Sequence, residues 1–505
     1  MHSYKYLQNG SDIRGIALTG IEGEDPNLRK EDAARIGKGF LIWLCDSLGK
    51  NPDEIKIAIG RDPRLSGKHL RDGFIQGVKP YGVQVYECGI ASTPAMFMST
   101  KFEDMACDAG VMITASHLPF NRNGFKFFTE EGGLNKSDIS EIIAYAEDDE
   151  KTLIKTESPE LEVEEIPLMA QYSRHLRNII IEAIDSGEKP LQGMKIVVDA
   201  GNGSGGFYAK NVLYPLGADI SDSQCLSPDG TFPSHIPNPE NKEVMATVCA
   251  QVLSSSANLG IVFDTDVDRS AAVDNKGNPI GRNEIVALAA ALVAENSQGS
   301  TVVTDSITSD QLTTFIEEEL GLKHLRFKRG YKNVINKAIE LNESGIDCQL
   351  AIETSGHAAL KENYFLDDGA YLATKIVIEA AKLSKEGKGI STLIEKLGRP
   401  QESSEYRIKI RRDDFAEYVE PIFEDLVEWG IESKGISIVA PNHEGVRINF
   451  DEENGNGWCL LRMSLHDPIM PLNVESNEVG GVAKILNKLV PVLEKYKSLD
   501  LNVLR

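Results

Sequence analysis

The sequence predicts an α/β protein, with three similar mixed-sheet α/β domains followed by a smaller α+β C-terminal domain around a central cleft. Its 505 residues are too many for one hydrophobic core. Along most of the chain, a strand pattern runs into a polar loop and then into a helical pattern. Three such loops, dense in functional groups, end the segments 110–117, 260–268 and 349–357. This repetition predicts three copies of one α/β unit, each contributing a loop to a shared cleft.

The order of the elements predicts the domain boundaries. Strand, loop and helix alternate from Glu54 onward, and the acidic tract Glu147–Glu165 has the composition of a solvated linker. A second unit opens with the strand pattern at Met194, and a third opens at Thr301. From Glu405 onward, strands alternate with two helical stretches, which is typical of an α+β domain. The predicted domains are residues 1–168, 169–296, 297–402 and 403–505.

Composition and charge limit the class of protein. Apolar residues make up 41% and charged residues 26%, as in ordinary globular proteins, and no apolar run is long enough to span a membrane. The net charge of −24 opposes nucleic-acid binding. Because the N-terminal segment has no signal-peptide pattern, we expect a cytoplasmic protein. We also expect it to be a monomer or weak dimer and to bind no membrane. A plastid or other organellar protein whose transit peptide has been removed is the alternative.

Two features argue against other kinds of site. The seven cysteines are scattered, odd in number and without a C-x-x-C pair, which predicts reduced thiols and supports neither a disulfide framework nor a zinc site. A glycine-rich turn after the strand pattern at 193–199 lacks both the G-x-G-x-x-G spacing and the Walker lysine. We therefore expect a close-packed turn between a strand and a helix instead of a nucleotide site.

The segment around Ser116 can present a reactive hydroxyl. An apolar strand pattern runs from Val111 into a polar turn that holds Ser116 and His117, and a second strand pattern, from Gly124 to Phe128, leaves that turn. A serine oxygen held between two strands is exposed, aimed and fixed, which suits a nucleophile or a phosphate carrier. The same residues also fit an ordinary turn of a β-hairpin.

Asp264, Asp266 and Asp268 occupy alternate positions directly after a strand pattern. Three carboxylates in a desolvated cleft repel one another strongly unless a cation joins them. Hard oxygen ligands with open positions suit Mg²⁺, which also keeps phosphate oxygens as ligands. An exposed acidic turn and a Ca²⁺ loop are the alternatives, although the glycine and the terminal glutamate of an EF-hand are not in place.

Two later segments carry groups that suit a sugar phosphate. Glu353, Ser355 and His357 alternate, so an extended loop would place all three on one side, within reach of adjacent sugar hydroxyls. Arg462 and Ser464 lie at a strand end and could grip a phosphate by guanidinium fork and hydroxyl. A polar turn that binds nothing explains either segment as well.

An acidic protein that binds an anionic substrate must concentrate its basic residues locally. Arg14, which lies between two glycines, could reach a phosphate or sugar oxygen, although a solvated turn also fits it. The basic residues in and beside the candidate loops are Arg14, Arg61, Arg64, Lys126, Lys328, Arg329, Lys332 and Arg462.

These segments resemble, in the same order, the motifs of the α-D-phosphohexomutases, the phosphoglucomutase and phosphomannomutase family. The T-A-S-H-L-P sequence around Ser116 is similar to the family's T-A-S-H-N-P segment, and D-T-D-V-D-R is similar to its D-G-D-x-D-R metal loop. The sequences around Arg14, Glu353 and Arg462 resemble its opening D-I-R-G segment, its sugar loop and its phosphate loop. The chain departs from these motifs at Leu118, Thr265, Ile352, His466 and Asp467.

The resemblance implies a role for each matching residue. Ser116 would be the phosphoserine and, with Asp264, Asp266 and Asp268, would hold Mg²⁺. The implied catalytic residues are Ser116, Lys126, Arg14, His117, His357 and Arg269. The implied substrate-binding residues are Glu353, Ser355, His357, Lys328, Arg329, Arg462, Ser464 and His466.

The activity that the resemblance implies is a Mg²⁺-dependent interconversion of hexose 1-phosphate and hexose 6-phosphate, with glucose, mannose or both as the sugar. Phosphorylated Ser116 would give its phosphoryl group to the free hydroxyl of the sugar. The resulting hexose 1,6-bisphosphate would reorient in the cleft and return its other phosphoryl group to Ser116. Glucose 1,6-bisphosphate would thus be both intermediate and activator. The alternatives are a phosphoglucosamine-type mutase, a Mg²⁺-dependent sugar phosphatase and a non-catalytic sugar-phosphate binder.

Overall fold

A computed structural model describes residues 3–153, 163–412, 414–464 and 467–505. The chain forms two compact units: unit 1 contains residues 1–292 and 355–393, and unit 2 contains residues 293–354 and 394–505. Two expectations fall partly or wholly outside the described residues. These are the middle of the acidic linker tract, 154–162, and the substrate-binding role of His466.

The N-terminal part of unit 1 is a mixed sheet covered by helices. Its strands lie in the order β1-β2-β6-β5-β3-β4-β8, with β7 paired to β6. Neighbours β3, β4, β5 and β8 pair in parallel, whereas β6 pairs antiparallel to both β2 and β5. The strands are β1 (Gln8–Asn9), β2 (Asp12–Ile16), β3 (Lys56–Arg61), β4 (Gln84–Ile90), β5 (Ala109–Ile113), β6 (Arg122–Thr129), β7 (Gly132–Gly133) and β8 (Val163–Glu165), and the helices are α1 (Lys30–Leu48), α2 (Gly67–Val78), α3 (Thr93–Met98) and α4 (Lys136–Glu147).

An aromatic cluster holds α1 and α2 against this sheet. Phe40 of α1 stacks on Phe127 of β6 with ring centroids 4.5 Å apart, and Phe74 of α2 lies 6.0 Å from Phe40. The two helices cross closely because Gly73 has no side chain where it meets the backbone of Lys30. Since side chains alternate along a strand, Phe127 in the core leaves the neighbouring Lys126 on the opposite face of the sheet.

The next part of unit 1 is a smaller mixed sheet in the order β12-β11-β10-β9. Strands β9 and β10 pair in parallel, and β10, β11 and β12 pair antiparallel. As expected, the glycine-rich turn after β9 is close-packed, because Gly203 and Gly206 approach the backbone of Thr265 and Leu226. The elements are α5 (Leu168–Ile184), β9 (Ile196–Asp199), α6 (Lys242–Ser255), β10 (Leu259–Phe263), β11 (Ser270–Val273), β12 (Pro279–Ile280) and α7 (Asn283–Ala294).

The chain then enters unit 2, where β13 (Thr301–Asp305) pairs in parallel with β14 (Lys323–Phe327) and β15 (Cys348–Ile352). Helices α8 (Asp310–Thr314) and α9 (Tyr331–Glu343) connect these strands. Residues 355–393 belong to unit 1 and contain the antiparallel pair β16 (Ala358–Leu360) and β17 (Leu366–Asp367), followed by α10 (Gly369–Lys385). Helix α10 packs on α5 and is capped at its N-terminus by Asp368, whose buried carboxylate accepts a hydrogen bond from Tyr172 Oη at 2.7 Å.

The C-terminal part of unit 2 is an antiparallel sheet in the order β19-β20-β21-β22-β18-β23. Two amphipathic helices pack their apolar side chains into its core. The strand that ends at Leu461 is continued by two backbone hydrogen bonds, from the Arg462 amide to the Pro471 carbonyl at 3.1 Å and from the Ser464 amide to the Ile469 carbonyl at 2.9 Å. The elements are β18 (Glu402–Ile410), α11 (Phe415–Glu432), β19 (Ile436–Ile438), β20 (Val446–Phe450), β21 (Gly457–Leu461), β22 (Ile469–Ser476), α12 (Gly481–Leu493) and β23 (Leu499–Asp500).

These elements confirm the predicted fold class of three α/β domains with mixed sheets and a β-rich α+β domain at the C-terminus. All seven cysteines are free thiols. Among the described residues, every helix is too short or too polar to cross a membrane.

The aromatic cluster leads to a prediction about stability. We expect Phe40→Ala to lower the free energy of unfolding by about 3–5 kcal/mol, because it removes a fully buried ring and leaves a cavity between α1 and β6. Urea unfolding followed by tryptophan fluorescence measures this change. Val479→Ala, at a side chain that is 83% exposed, is the control and should stay within about 0.5 kcal/mol of the wild type. A loss of less than about 1 kcal/mol for Phe40→Ala would contradict the assignment of this core.

Candidate active site

Ser116 lies in the turn that joins β5 to β6, directly after the strand end at Ile113. Its backbone is left-handed, with φ of 51°, and its amide donates to Thr114 Oγ1 at 2.9 Å. Left-handed backbone is uncommon for a residue with a Cβ and is enriched at functional sites. The Ser116 hydroxyl oxygen lies 3.2 Å from Nδ1 of His117, 3.3 Å from Oδ2 of Asp264 and 3.4 Å from Nη2 of Arg269. The hydroxyl therefore lies beside an imidazole, a carboxyl group and a guanidinium group.

Arg64 stabilises the Ser116 turn by hydrogen bonds to its backbone carbonyl oxygens. Its buried guanidinium donates to the carbonyl oxygens of Ser116 at 2.5 Å, Leu118 at 2.6 Å and Pro119 at 2.6 Å. Its Nε donates to Asp62 at 3.1 Å, and that carboxylate also accepts from Thr114 Oγ1 at 2.8 Å. Carbonyl oxygens in a tight turn need donors, and one planar guanidinium supplies several in a fixed geometry.

The three aspartates follow β10 in the short turn before β11, and all three are fully buried. The turn closes through Val267, whose φ is 69°, and the Val267 amide donates to Asp264 Oδ1 at 3.0 Å. Thr93, at the start of α3, donates to the Asp266 carbonyl through its amide at 2.8 Å and to the Asp266 carboxylate through its hydroxyl at 2.5 Å. These contacts fix the loop beside the Ser116 turn.

Two cations balance much of this negative charge. Lys126 Nζ lies 3.2 Å from Oδ2 of Asp266 and forms a second ion pair with Asp268. Arg269 Nη2 donates to Oδ2 of Asp264 at 3.1 Å. Three buried carboxylates thus face one ammonium and one guanidinium, each of which is paired with at least one of them.

Burial and neighbouring charges shift the pKa values of Asp264, Asp268 and His117. Burial raises the pKa of Asp264 well above its ordinary value, and the nearby charge of Asp268 acts in the same direction. Burial also opposes ionisation of Asp268, but Lys126 and His357 outweigh it and hold its pKa below the ordinary range. Burial, with help from Arg269, lowers the pKa of His117 to about 2, so its imidazole is neutral at physiological pH.

The aspartate set fits a hard divalent cation. One carboxylate oxygen each of Asp264, Asp266 and Asp268 lies within 4.8 Å of the others. Among the described residues, Oδ1 of Asp266 and Oδ1 of Asp268 are buried without a hydrogen-bond partner. Buried oxygens without donors are costly, and Mg²⁺ prefers carboxylate oxygens as ligands. These residues, with the adjacent Ser116 hydroxyl, could hold the predicted Mg²⁺.

Arg14 and His357 approach the same group of side chains. Arg14 lies in β2 opposite Gly124 of β6, and its Nη1 donates to the carbonyl of Ala115 at 3.4 Å. His357 pairs by its backbone with Arg269, and its Nδ1 contacts Asp367 at 2.6 Å and Asp268 at 3.8 Å.

Burial lowers the pKa of His357, but the effect of two neighbouring carboxylates is larger and in the opposite direction. Asp367 and Asp268 raise the pKa of His357 to about 9. Burial raises the pKa of Asp367 to about 6, against the effect of His357. The imidazole is therefore a cation at neutral pH and can donate to a ligand oxygen. The hydroxyl of Ser355, two residues before it, is buried and has no hydrogen-bond partner among the described residues.

Unit 2 carries a second group of predicted residues. Glu353 accepts from the amide of Gly330 at 2.6 Å, and the amide of Arg329 donates to Glu444 at 3.2 Å. Burial and the charge of Arg329 lower the pKa of Arg462. Nε of Arg462 is buried without a hydrogen-bond partner among the described residues. Two guanidinium groups whose charges act on each other, one with a buried Nε that has no partner among the described residues, could bind an anion.

Two further residues of the predicted site, Lys328 and Ser464, also lie in unit 2. Lys328 is exposed, and Ser464 accepts a hydrogen bond from the Asp467 amide at 3.3 Å. The structure thus brings together, in unit 1, Ser116, His117, Lys126, Arg14, Asp264, Asp266, Asp268, Arg269 and His357. Glu353 belongs to unit 2, whereas Ser355 and His357 belong to unit 1.

Several residues that build the unit 1 site were not predicted as site residues. Asp62 and Arg64 support the Ser116 turn, Thr93 anchors the aspartate loop, and Asp367 pairs with His357. A signal was present only for Arg64, as one of the basic residues beside a candidate loop. The contacts of Asp62 with Thr114, of Thr93 with Asp266 and of Asp367 with His357 join residues that are not neighbours in the sequence, so no local pattern indicates them.

Comparisons with known proteins agree on one family. Three family models match the chain: Phosphoglucomutase/phosphomannomutase alpha/beta/alpha domain I over residues 6–153, domain II over 170–277 and domain III over 281–399. A "Phosphomannomutase/phosphoglucomutase" of Pseudomonas syringae pv. tomato is 30% identical over 96% of this chain and 95% of its own length. A "Phosphoglucomutase/phosphomannomutase" of Thermococcus kodakarensis is 30% identical over 96% of this chain and 97% of its own.

A solved structure shares the fold over the same extent. The X-ray structure of a phosphoglucomutase/phosphomannomutase family protein from Burkholderia thailandensis superposes with a TM-score of 0.79 and covers 98% of each chain, at 24% sequence identity. Full-length similarity to the curated relatives and the matched domain models lead to one conclusion. The chain belongs to the phosphoglucomutase/phosphomannomutase family.

Proposed function

We propose that this protein is a phosphohexomutase that interconverts the 1-phosphate and 6-phosphate of glucose and of mannose. The observation that carries the proposal is the Ser116 hydroxyl, held in left-handed backbone 3.3 Å from Asp264, in a loop that also contains Asp266 and Asp268. A hydroxyl beside a carboxylate cluster and an arginine suits reversible phosphoryl transfer, which depends on positioning and charge stabilisation. The family relationship supports the same activity.

In the proposed first step, the P–O bond to Oγ of phosphorylated Ser116 breaks while a bond to the free sugar hydroxyl oxygen forms. The sugar hydroxyl loses its proton, and Ser116 Oγ gains one. Neutral His117, with Nδ1 3.2 Å from that oxygen, is placed to orient Oγ by a hydrogen bond while the proton passes from the sugar hydroxyl to Oγ. The return step reverses these movements with the other phosphoryl group of a bound hexose 1,6-bisphosphate, so the free enzyme is again phosphorylated.

Charge stabilisation in this proposal comes from residues already in contact with the site. Arg269, 3.4 Å from Ser116 Oγ, can stabilise negative charge on the transferred group. Cationic His357 can donate to a sugar or phosphate oxygen. Asp264, Asp266, Asp268 and Ser116 would hold Mg²⁺, which would offset the negative charge on the transferred phosphoryl oxygens. Arg329 and Arg462 are proposed to bind phosphate in unit 2.

The first test is an assay of glucose 1-phosphate and mannose 1-phosphate turnover with Mg²⁺ and a trace of glucose 1,6-bisphosphate. We expect the wild type to form both 6-phosphates and Ser116→Ala to lose activity by on the order of 10³-fold or more, because the phosphoryl carrier is removed. Ser137→Ala, at an exposed position of α4, is the matched control and should retain activity. Steady release of inorganic phosphate without 6-phosphate would instead identify a sugar phosphatase.

The metal assignment predicts a change in Mg²⁺ dependence. Asp266→Asn removes one ligand charge, so we expect it to raise the Mg²⁺ concentration for half-maximal activity by about tenfold or more. Chelation of divalent cations should abolish activity of the wild type, and added Mg²⁺ should restore it. Asp219→Asn, an exposed position of the same domain, serves as the control. An unchanged Mg²⁺ titration for Asp266→Asn would remove this carboxylate from the metal site.

The Arg64 contacts predict a positioning effect on catalysis. Arg64→Lys keeps the charge but cannot donate to the carbonyls of Ser116, Leu118 and Pro119 together, so the turn loses its fixed geometry. We expect kcat to fall by about 10–100-fold with little change in KM, because a misplaced nucleophile affects the transfer step more than binding. Arg71→Lys, at a partly buried arginine of α2 that pairs with Asp72 and Glu87, is the control. A rise in KM at unchanged kcat would contradict this role.

A further inference from the structure

A second group of side chains in unit 1 has the chemistry of a metal site, away from the aspartate loop. Asp199 ends β9, and Cys225 and His235 lie farther along the chain, in the loop that precedes α6. A carboxylate oxygen, the thiol sulfur and an imidazole nitrogen from these residues all lie within 4.8 Å of one another. These three residues are not spaced as in any short zinc-binding motif, so no local pattern indicates the group.

Local contacts hold each of the three groups in place. Asp199 is fully buried, and its Oδ2 accepts from Gln224 Nε2 at 2.8 Å. The amide of Asn202 donates to the carbonyl of Cys225 at 2.8 Å, and Cys225 is fixed in left-handed backbone with φ of 53°. A residue with a Cβ in that conformation is often found where a side chain must be aimed at a ligand.

His235 is oriented as metal-bound histidines usually are. Its Nδ1 lies 3.3 Å from the carbonyl oxygen of Ile236, and its Nε2 lies 3.0 Å from Oδ2 of Asp199. A ligating imidazole commonly donates one ring N–H to a backbone carbonyl and uses the other nitrogen for the metal. Adjacent ligand atoms of a tetrahedral zinc site are about 3.3 Å apart, so the 3.0 Å separation needs little change when a metal replaces the shared proton.

We propose that Asp199, Cys225 and His235 form a Zn²⁺ site with a fourth position open to water. Thiolate, imidazole and carboxylate together suit Zn²⁺, whereas Mg²⁺ prefers oxygen ligands alone. The imidazole is 19% exposed, which leaves an approach for the ion and for water. Binding displaces the thiol proton and the proton between His235 and Asp199, so affinity rises with pH.

The loop that carries this site also reaches the two arginines beside Ser116. Phe232 lies under the guanidinium of Arg64 at 5.2 Å, and Oδ1 of Asn238 accepts from Nη1 of Arg269 at 3.4 Å. Zn²⁺ would stiffen this loop by joining Cys225 and His235 to the end of β9. The site is therefore separate from the catalytic aspartates but linked to their surroundings through the chain itself.

Cobalt provides a direct test, because Co²⁺ substitutes for Zn²⁺ and reports thiolate ligands by a charge-transfer band in the near ultraviolet. The folded protein is titrated with Co²⁺ in excess Mg²⁺, which occupies the oxygen-only cluster, and then with Zn²⁺. We expect one equivalent of Co²⁺ to give a thiolate band that Zn²⁺ abolishes. The result does not depend on mutase activity, so it stands or falls separately from the proposed function.

Three variants assign the band. Cys225→Ser should lose it, and His235→Gln should weaken Zn²⁺ binding by on the order of 100-fold in calorimetry. Cys249→Ser, another partly exposed cysteine of unit 1, should bind as the wild type does. Urea unfolding of each variant without metal confirms that it is folded. Absence of a thiolate band in the wild type, or an unchanged band in Cys225→Ser, would overturn the proposal.

Discussion

The constraint on which the unit 1 site depends is the burial of three carboxylates in one short turn. An isolated buried charge costs several kcal/mol unless it is paired and hydrogen-bonded. Asp264, Asp266 and Asp268 can therefore be fully buried only where other elements bring cations and donors to them. Lys126 comes from β6 and Arg269 from the end of the turn itself. β6 and the end of the turn thus provide the two cations that the buried carboxylates require.

The Ser116 turn meets a second requirement, which is a fixed nucleophile in a strained conformation. Left-handed backbone at a serine costs on the order of 1–3 kcal/mol and persists only where the surroundings determine it. Arg64 provides that restraint through three carbonyl oxygens of the turn, and Asp62 in turn fixes Arg64. The buried pair is thus a rigid support, and its main effect is on geometry instead of net stability.

Much of the fold and of the site could be predicted from local patterns, because strand ends and polar loops are local features. The loops at Ser116 and Asp264 were found this way, and the structure brings them together. Strand β22 is paired on both sides by β18 and β21 although it contains Pro471, a residue that central strands usually exclude. Thr265 replaces a glycine of the family motif, but the left-handed residue of this turn is Val267.

Side chains that act through other side chains were beyond sequence patterns. The partners Asp367 and His357 are ten residues apart and meet only because a hairpin turns between them. Ile352, which replaces a glycine of the family motif, is the last residue of β15 and is fully buried, so the strand accepts it without a special backbone. A departure from a motif can thus be judged only from the backbone conformation at that position.

The loop from Cys225 to Asn238 illustrates how the fold joins distant chemistry. Pro228, Pro233 and Pro237 restrict its backbone, and Pro237 packs closely on Gly201 after β9. This loop contacts Arg64, which supports Ser116, through Phe232, and it contacts Arg269, the cation in front of Ser116, through Asn238. The supports of the nucleophile and of the transferred charge are therefore parts of one continuous structure.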